Sequence, residues 1–273
     1  MIGPYNYNSF NVGDAIDFLR QLPDSSVPLF LFSPPYNLGQ SSAGGLAQYK
    51  DPVALGKRGG NDKWRGAALA NGYADHDDAM PPDEYIEWQK TVLVECWRAL
   101  SDNGAIYYNH KPRIQYGACT TPLDFNPGLP VRQIVIWARA GGINYSPTYY
   151  VPTHEWIVIY AKPDFRLKSK AASGAGDVWY VPQESGTWHP APFPLALAET
   201  ALETVMPSLV VDPFAGSGTV AVAAKRLGIN YLCNEKSLEY VHKARQRVAS
   251  ATFVPKLIDT YAEQSLLFQE DTA

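Results

Sequence analysis

Val211-Asp212-Pro213-Phe214-Ala215-Gly216-Ser217-Gly218-Thr219 is the stretch whose reading decides the fold. Before it, Ser208–Val211 reads as a buried strand; after it, Gly218–Leu227 reads as a helix. Glycines between the two let the backbone turn sharply and approach a ligand, and the helix start offers unpaired amides. Asn230–Cys233 reads as the next strand, and Glu235, 17 residues after Gly218, stands at its exit. A carboxylate there can accept both hydroxyls of a ribose. Taken alone, Gly-x-Gly at a strand–helix turn is shared by many nucleotide sites and by some turns that bind nothing. A P-loop is disfavoured, because no Gly-Lys-Ser/Thr is present to hold phosphates. A dinucleotide site normally carries a third glycine where this chain has Ala221.

The alternation continues outward. Asp14–Leu22 reads as a helix with Ile16, Leu19 and Leu22 on one face, stopped by Pro23. Val27–Phe32 has almost no polar break, as a strand covered on both sides requires. Pro81-Pro82-Asp83-Glu84 opens another helix, with Ile86, Leu93, Trp97 and Leu100 as its apolar face. Ala105–Asn109 follows as a strand. Val131–Ala138 and Glu155–Ala161 read as an antiparallel pair, and residues 162–190 as irregular. Ala196–Val205 and Leu238–Val248 read as helices. The expected fold is α/β: a doubly wound, mostly parallel sheet with helices on both faces, in one domain over residues 1–273.

Composition narrows the class. Hydrophobic residues make up 46% and charged residues 18%, as in an ordinary globular protein. No run approaches the roughly 18 apolar residues that a membrane span needs. Met1-Ile2-Gly3-Pro4 lacks the pattern of a secretion signal, so a cytoplasmic location is expected. Cys96, Cys119 and Cys233 lie far apart and read as buried free thiols, and no metal-ligand spacing stands out. A net charge of −4 argues against a protein that coats polyanions, yet leaves room for a local basic cleft. Such a stretch exists: residues 38–80 form a long Gly/Ala/Asn-rich loop with Lys57, Arg58, Lys63 and Arg65 in it.

The second constellation is Ser33-Pro34-Pro35-Tyr36, at the exit of the strand Val27–Phe32. Two prolines cannot donate to a ladder, so the chain leaves the sheet there. By itself a Pro-Pro pair is usually a rigid turn with a surface tyrosine. Flanked by Leu31-Phe32 and Asn37, and joined to the later glycine motif, it is more specific.

Together the two motifs resemble the amino-methyltransferases of DNA, which carry (D/N/S)-P-P-(Y/F) and a separate (D-x)-F-x-G-x-G. Their order here is similar to the circularly permuted beta group, whose cofactor half follows its catalytic half. The likeness runs from Asn11 to about Val248, taking in Gly13-Asp14 and His189-Pro190-Ala191-Pro192-Phe193-Pro194. It implies a Rossmann-like sheet of seven strands and S-adenosylmethionine as cofactor. Asp212, Phe214, Gly216, Ser217, Gly218 and Thr219 would hold its methionine end, Glu235 its ribose and Asp14 its adenine. His189 and Phe193 would complete the pocket, although many relatives have lysine where this chain has Phe193. In Ser33-Pro34-Pro35-Tyr36, the Ser33 hydroxyl and the Pro34 carbonyl would accept the hydrogens of an exocyclic amino group, and Tyr36 would stack on the flipped base.

Serine at position 33 goes with cytosine N4 in this family, whereas aspartate commonly goes with adenine N6. The expected activity is therefore cytosine N4 methylation of DNA, with adenine N6 methylation and a non-catalytic nucleic-acid-binding relative as alternatives. A cognate restriction endonuclease is a possible functional partner. Carbon-5 methylation is excluded by the absence of a Pro-Cys dipeptide. Zinc deamination is disfavoured by the absence of its H-x-E and P-C-x-x-C signature. Residues 38–80 are the candidate DNA-contacting loop and 162–188 a candidate target-recognition segment. Replacing Lys57, Arg58 and Lys63 by alanine should flatten the salt dependence of DNA binding, by about 0.9 in log–log slope per lost phosphate contact. Binding titrations from 50 to 200 mM salt, roughly the range over which such contacts are lost, check this; an unchanged slope rejects the loop's role.

Overall fold

A computed structural model of the chain describes residues 1–37, 80–115, 118–139, 141, 146–184 and 193–254. Residues 57, 58, 63, 65 and 189, named above for binding roles, lie outside the described residues. Among the described residues the strands are β1 (Ser9–Val12), β2 (Val27–Phe32), β3 (Leu100–His110), β4 (Arg113–Gln115), β5 (Ala118–Thr120), β6 (Val131–Ala138), β7 (His154–Ala161), β8 (Val178–Tyr180), β9 (Leu209–Asp212) and β10 (Asn230–Glu235). The α-helices among the described residues are α1 (Ala15–Arg20), α2 (Pro82–Ala99), α3 (Leu195–Val205), α4 (Thr219–Leu227) and α5 (Leu238–Ser250).

One sheet runs β1-β10-β9-β2-β3-β7-β6-β8, and β4 and β5 form a separate antiparallel ribbon. From β1 to β3 every pairing is parallel. β7 is antiparallel to both β3 and β6, while β8 lies parallel to β6. The expected doubly wound sheet is present, with eight strands rather than seven. The extra strand, β8, comes from the stretch whose sequence reads as irregular: Trp179 turns into the core while Val178 and Tyr180 stay exposed. Asn11 and Val12 belong to the edge strand β1, where Phe10 is the one buried side chain.

β2 shows why its sequence is apolar throughout. Leu29 and Leu31 enter the core under α3, α4 and α5, while Phe30 and Phe32 enter the core under α1 and α2. Full burial of such side chains stabilises by about 1.5–3 kcal/mol each, so neither face of the strand tolerates a polar residue cheaply. On α2 the buried stripe is Tyr85, Gln89, Val92, Leu93, Cys96 and Ala99, rotated by about one residue from the expected Ile86–Leu93–Trp97–Leu100 face. Ile86 and Trp97 are only partly covered, and Leu100 opens β3. The rotation matters because it turns two polar groups, Tyr85 Oη and Gln89, inward. Of the three thiols, Cys96 and Cys233 are buried as expected, whereas Cys119 is exposed. No helix among the described residues is long and apolar enough to cross a membrane.

The glycine turn is locked by its neighbours. Gly218 has φ +76°, and a Cβ built there would lie 2.9 Å from Ala244 Cβ of α5 and 3.3 Å from Phe10 Cζ. Its hydrogen atom is what lets α5 and β1 close over the turn. Gly218→Ala should therefore lower stability by about 1–3 kcal/mol. Gly174→Ala, in a short 3₁₀ turn with open space around it, should change it by no more than about 0.5 kcal/mol. Urea unfolding compares them; equal effects would contradict the packing described.

Candidate active site

β9 and β2 are hydrogen-bonded neighbours, with Leu29 opposite Val210 and Phe30 opposite Val211. Both strands therefore end at nearly the same level, and residues 33–36 emerge beside residues 212–219. Phe214 bridges the two exits, its ring centroid 5.7 Å from Phe32 and 5.5 Å from Trp88 of α2. The two motifs read from the sequence thus lie side by side.

On the glycine side, Glu235 holds the turn to the end of β10. Its Oε2 accepts from Gly216 N at 2.8 Å and its Oε1 from Ser237 N at 3.0 Å. A carboxylate oxygen can accept more than one such bond. Asn234, which carries no signal in the sequence, ties the neighbourhood together: its Nδ2 donates to Gly13 O and Pro213 O, and its Oδ1 accepts from Asn11. Asp14 lies one residue beyond Gly13, whose amide donates to Glu235 O, and its side chain caps α1 through Ile16 N and Asp17 N. The hydroxyls of Ser217 and Thr219 are buried and held from behind by Arg247 of α5, at 3.0 and 2.7 Å. Their side chains therefore brace the turn from the α5 side. Phe193 instead packs its ring on Trp137 of β6, centroids 6.3 Å apart. A link from that segment to the turn is Glu184, which accepts from Leu195 N and lies 3.8 Å from Arg247.

Asp212 is the acid of the site whose charged form burial disfavours. It is 4% exposed, and burial pushes its carboxyl up to about 8; nearby Glu235 adds to the rise and the bond from Phe214 N opposes it. A buried acid at the mouth of a glycine turn, facing a second carboxylate, suits a ligand that carries positive charge.

On the tetrapeptide side, the main chain is clamped carbonyl by carbonyl. Tyr85 Oη donates to Pro35 O at 2.7 Å. Arg113 donates to Tyr36 O at 2.6 Å and to Asn37 O at 2.9 Å. Among the described residues the Pro34 carbonyl makes no such bond, which leaves it as an acceptor. Tyr36 is 8% exposed, far from the surface tyrosine of an ordinary proline turn. His110 lies against its ring at 4.4 Å and Lys111 Nζ sits 5.5 Å from its centroid. His110 is fully buried, and desolvation holds its imidazole down at about 3, so it stays neutral. The Tyr36 hydroxyl lies 2.8 Å from Ser33 Oγ, 3.0 Å from Asn109 Oδ1 and 2.8 Å from Glu155 Oε2. Asn109, Glu155, Arg139 and Tyr85 belong to no motif in the sequence and escape a reading by motif. For Glu155, a carboxylate opening the apolar run Trp156–Ala161 is the available signal.

Linkage gives a check on Asp212. Its raised value means the folded chain holds a proton that the unfolded chain has lost between about pH 4 and 8, so stability falls as pH rises across that window. Asp212→Asn removes this contribution. Relative to the parent, the variant should gain stability from pH 5 to pH 8, by at most about 1.4 kcal/mol per unit. Urea midpoints at the two pH values measure it, and a constant difference would contradict the assignment.

A type II methyltransferase, M.BglII of Bacillus subtilis, is 26% identical and matches 88% of this chain and 68% of its own length. M2.MboI of Moraxella bovis, also a type II methyltransferase, is 26% identical over 92% of this chain and 90% of its own. Among solved structures, the cytosine-N4-specific PvuII DNA methyltransferase superposes with a TM-score of 0.64 at 16% identity, covering 96% of this chain and 91% of that one. A Thermus thermophilus protein described as a putative DNA modification methylase, complexed with S-adenosyl-L-methionine, gives 0.58 at 22% identity, covering 92% and 99%. At these identities the structures speak for the shared fold. The family model described as DNA methylase, for N6 and N4 methyltransferases, matches residues 27–246, and the chain belongs to that family.

Proposed function

We propose that this DNA methyltransferase uses S-adenosylmethionine to methylate the exocyclic N4 of cytosine in DNA. The observation that carries the reading is the pair of acceptors, Ser33 Oγ and Pro34 O, beside the glycine turn between β9 and α4. An exocyclic amino nitrogen is a poor nucleophile because its lone pair is delocalised into the ring. Accepting hydrogen bonds from both its N–H groups localises that pair and aims it. The prolines hold the acceptors stiffly, so little ordering remains to be done when a base arrives.

The residues present fit the cofactor. Gly216 and Gly218 adopt φ of +49° and +76° and open the backbone to a ligand. Asp212 offers a buried acid to a cationic methionine end, Glu235 offers carboxylate oxygens to a ribose, and Asp14 stands beside the exit of β10 for the adenine. S-adenosylmethionine, bound there, would supply a methyl activated on sulfonium, leaving as the neutral thioether while one amino proton passes to solvent. Ser33 and Pro34 hold the nitrogen in line, and the aromatic wall of Tyr36, His110 and Phe214 keeps water away. Reaching the nitrogen requires the base to leave the duplex.

Serine at position 33 supports cytosine; adenine N6 remains the second reading, since either base offers an amino group to the same acceptors. The intact pair of motifs argues against a purely binding relative. For DNA contact, the loop 38–80 and the segment 162–188 are the proposed elements of this single domain. In the second, Lys168 and Lys170 carry positive charge, and Tyr180, 83% exposed, pairs with Ala138 at the same sheet edge as the tetrapeptide. Arg166 is occupied with its own turn, donating to Pro163 O and Phe165 O. The type II relatives support a restriction–modification setting.

Nucleoside mass spectrometry of DNA treated with the enzyme and labelled cofactor should find N4-methylcytosine. N6-methyladenine alone would overturn the choice of base, and an unmodified substrate set would overturn the activity. Ser33→Ala should slow transfer by about 10- to 100-fold, the effect of losing one hydrogen bond to a group that gains charge.

A further inference from the structure

We infer that Glu155, acting through the Tyr36 hydroxyl, sets the direction of the Ser33 hydroxyl and makes it an acceptor for the target amino group. The inference rests on the reading above and concerns a positioning residue on β7, a strand that carries neither motif.

Proton counting leads to it. The Tyr36 hydroxyl has one proton and three partners within 3.0 Å. The Glu155 carboxylate, paired through its other oxygen with Arg139 at 3.3 Å, presents Oε2 as an acceptor. Asn109 presents its oxygen, because its Nδ2 is committed to Trp156 O at 3.1 Å. Two of the three partners therefore only accept, and the single Tyr36 proton is spent on them. What remains on the phenol oxygen is a lone pair, so Ser33 must be the donor in the 2.8 Å bond between them. With its proton so directed, Ser33 Oγ has only lone pairs left for a substrate N–H. Distance alone leaves the donor between Ser33 and Tyr36 undetermined; the two acceptors behind Tyr36 decide it.

The arrangement is held rigidly. Asn109, Glu155 and Tyr36 are 1%, 5% and 8% exposed, so water does not compete for the chain of bonds. Arg139 is itself fixed by donating to Pro152 O at 2.9 Å. A buried bond to a carboxylate is stronger than one to a neutral group, and successive bonds polarise one another toward the charged end. Ser33 Oγ is thereby a better acceptor than an isolated serine. A wrongly turned hydroxyl would instead point its proton at the amino group and repel it.

A mutant cycle separates this role from simple structural support. Single-turnover methyl transfer would be measured for Ser33→Ala, Tyr36→Phe, the double variant and Glu155→Gln, beside cofactor and DNA dissociation constants. Tyr36→Phe keeps the ring and should slow the chemical step about 5- to 50-fold with both dissociation constants within about twofold. Added to Ser33→Ala it should cost less than about twofold more, because its effect passes through Ser33. In Glu155→Gln, Arg139 claims the amide oxygen, the amide nitrogen faces Tyr36, and the rate should again fall at least about fivefold. This variant keeps the test open if Tyr36→Phe folds poorly. The inference is overturned if Tyr36→Phe and Glu155→Gln keep parental rates, or if the losses in the double variant multiply. If Ser33→Ala itself is as fast as the parent, the reading of the site fails instead.

Discussion

Two adjacent parallel strands ending at one level are the constraint on which the molecule depends. β2 and β9 pair through Leu29–Val210 and Phe30–Val211, and each leaves the sheet within a few residues of that contact. β2 leaves through two prolines that cannot continue a ladder; β9 leaves through Asp212-Pro213 into a glycine turn. Because the strands are neighbours and parallel, both exits fall on the carboxyl edge of the sheet, where open α/β folds place their ligands. Shifting that register by one residue would exchange the faces of Leu29 and Phe30 and bury the wrong side chains on both sides.

Around this junction many backbone carbonyls are held by side chains from other elements. Tyr85 and Arg113 occupy the carbonyls of Pro35, Tyr36 and Asn37. Glu235 and Arg247 fix the turn from the opposite sides of its backbone. Two carboxylates are buried here, and they differ in company. Glu155 has Arg139 and Tyr36, which offset its desolvation; Asp212 has one amide and a second acid, which do not. Leaving an acid so poorly matched costs stability, and a cationic ligand is what would reverse that cost.

Much of this is legible in the sequence because periodicity and punctuation are clear. The apolar runs of β2 and β9, the Pro-Pro stop and the Gly-x-Gly turn carry local physics that tertiary context does not override. β1 escapes such a reading because a four-residue edge strand with one buried side chain has no apolar run to show. The buried face of α2 differs from the expected one because Tyr85 and Gln89 go inside for their hydrogen bonds, which hydrophobicity does not register. Glu155 reads only as the opening of a strand, since its importance comes from Tyr36 and Arg139, contacts distant in sequence. Ser217 and Thr219 read as ligand residues, whereas their hydroxyls serve Arg247.

The central claim is that the tetrapeptide holds an amino nitrogen while the glycine turn holds the methyl donor. A crystal structure with cognate DNA and a non-reactive amine analogue of S-adenosylmethionine tests it most directly. The expected result is a flipped cytosine whose amino nitrogen lies about 2.7–3.2 Å from both Ser33 Oγ and Pro34 O, with the analogue's amine facing it from beside Asp212 and Gly216. A base bound away from Ser33, or an analogue seated elsewhere on the sheet, would contradict it.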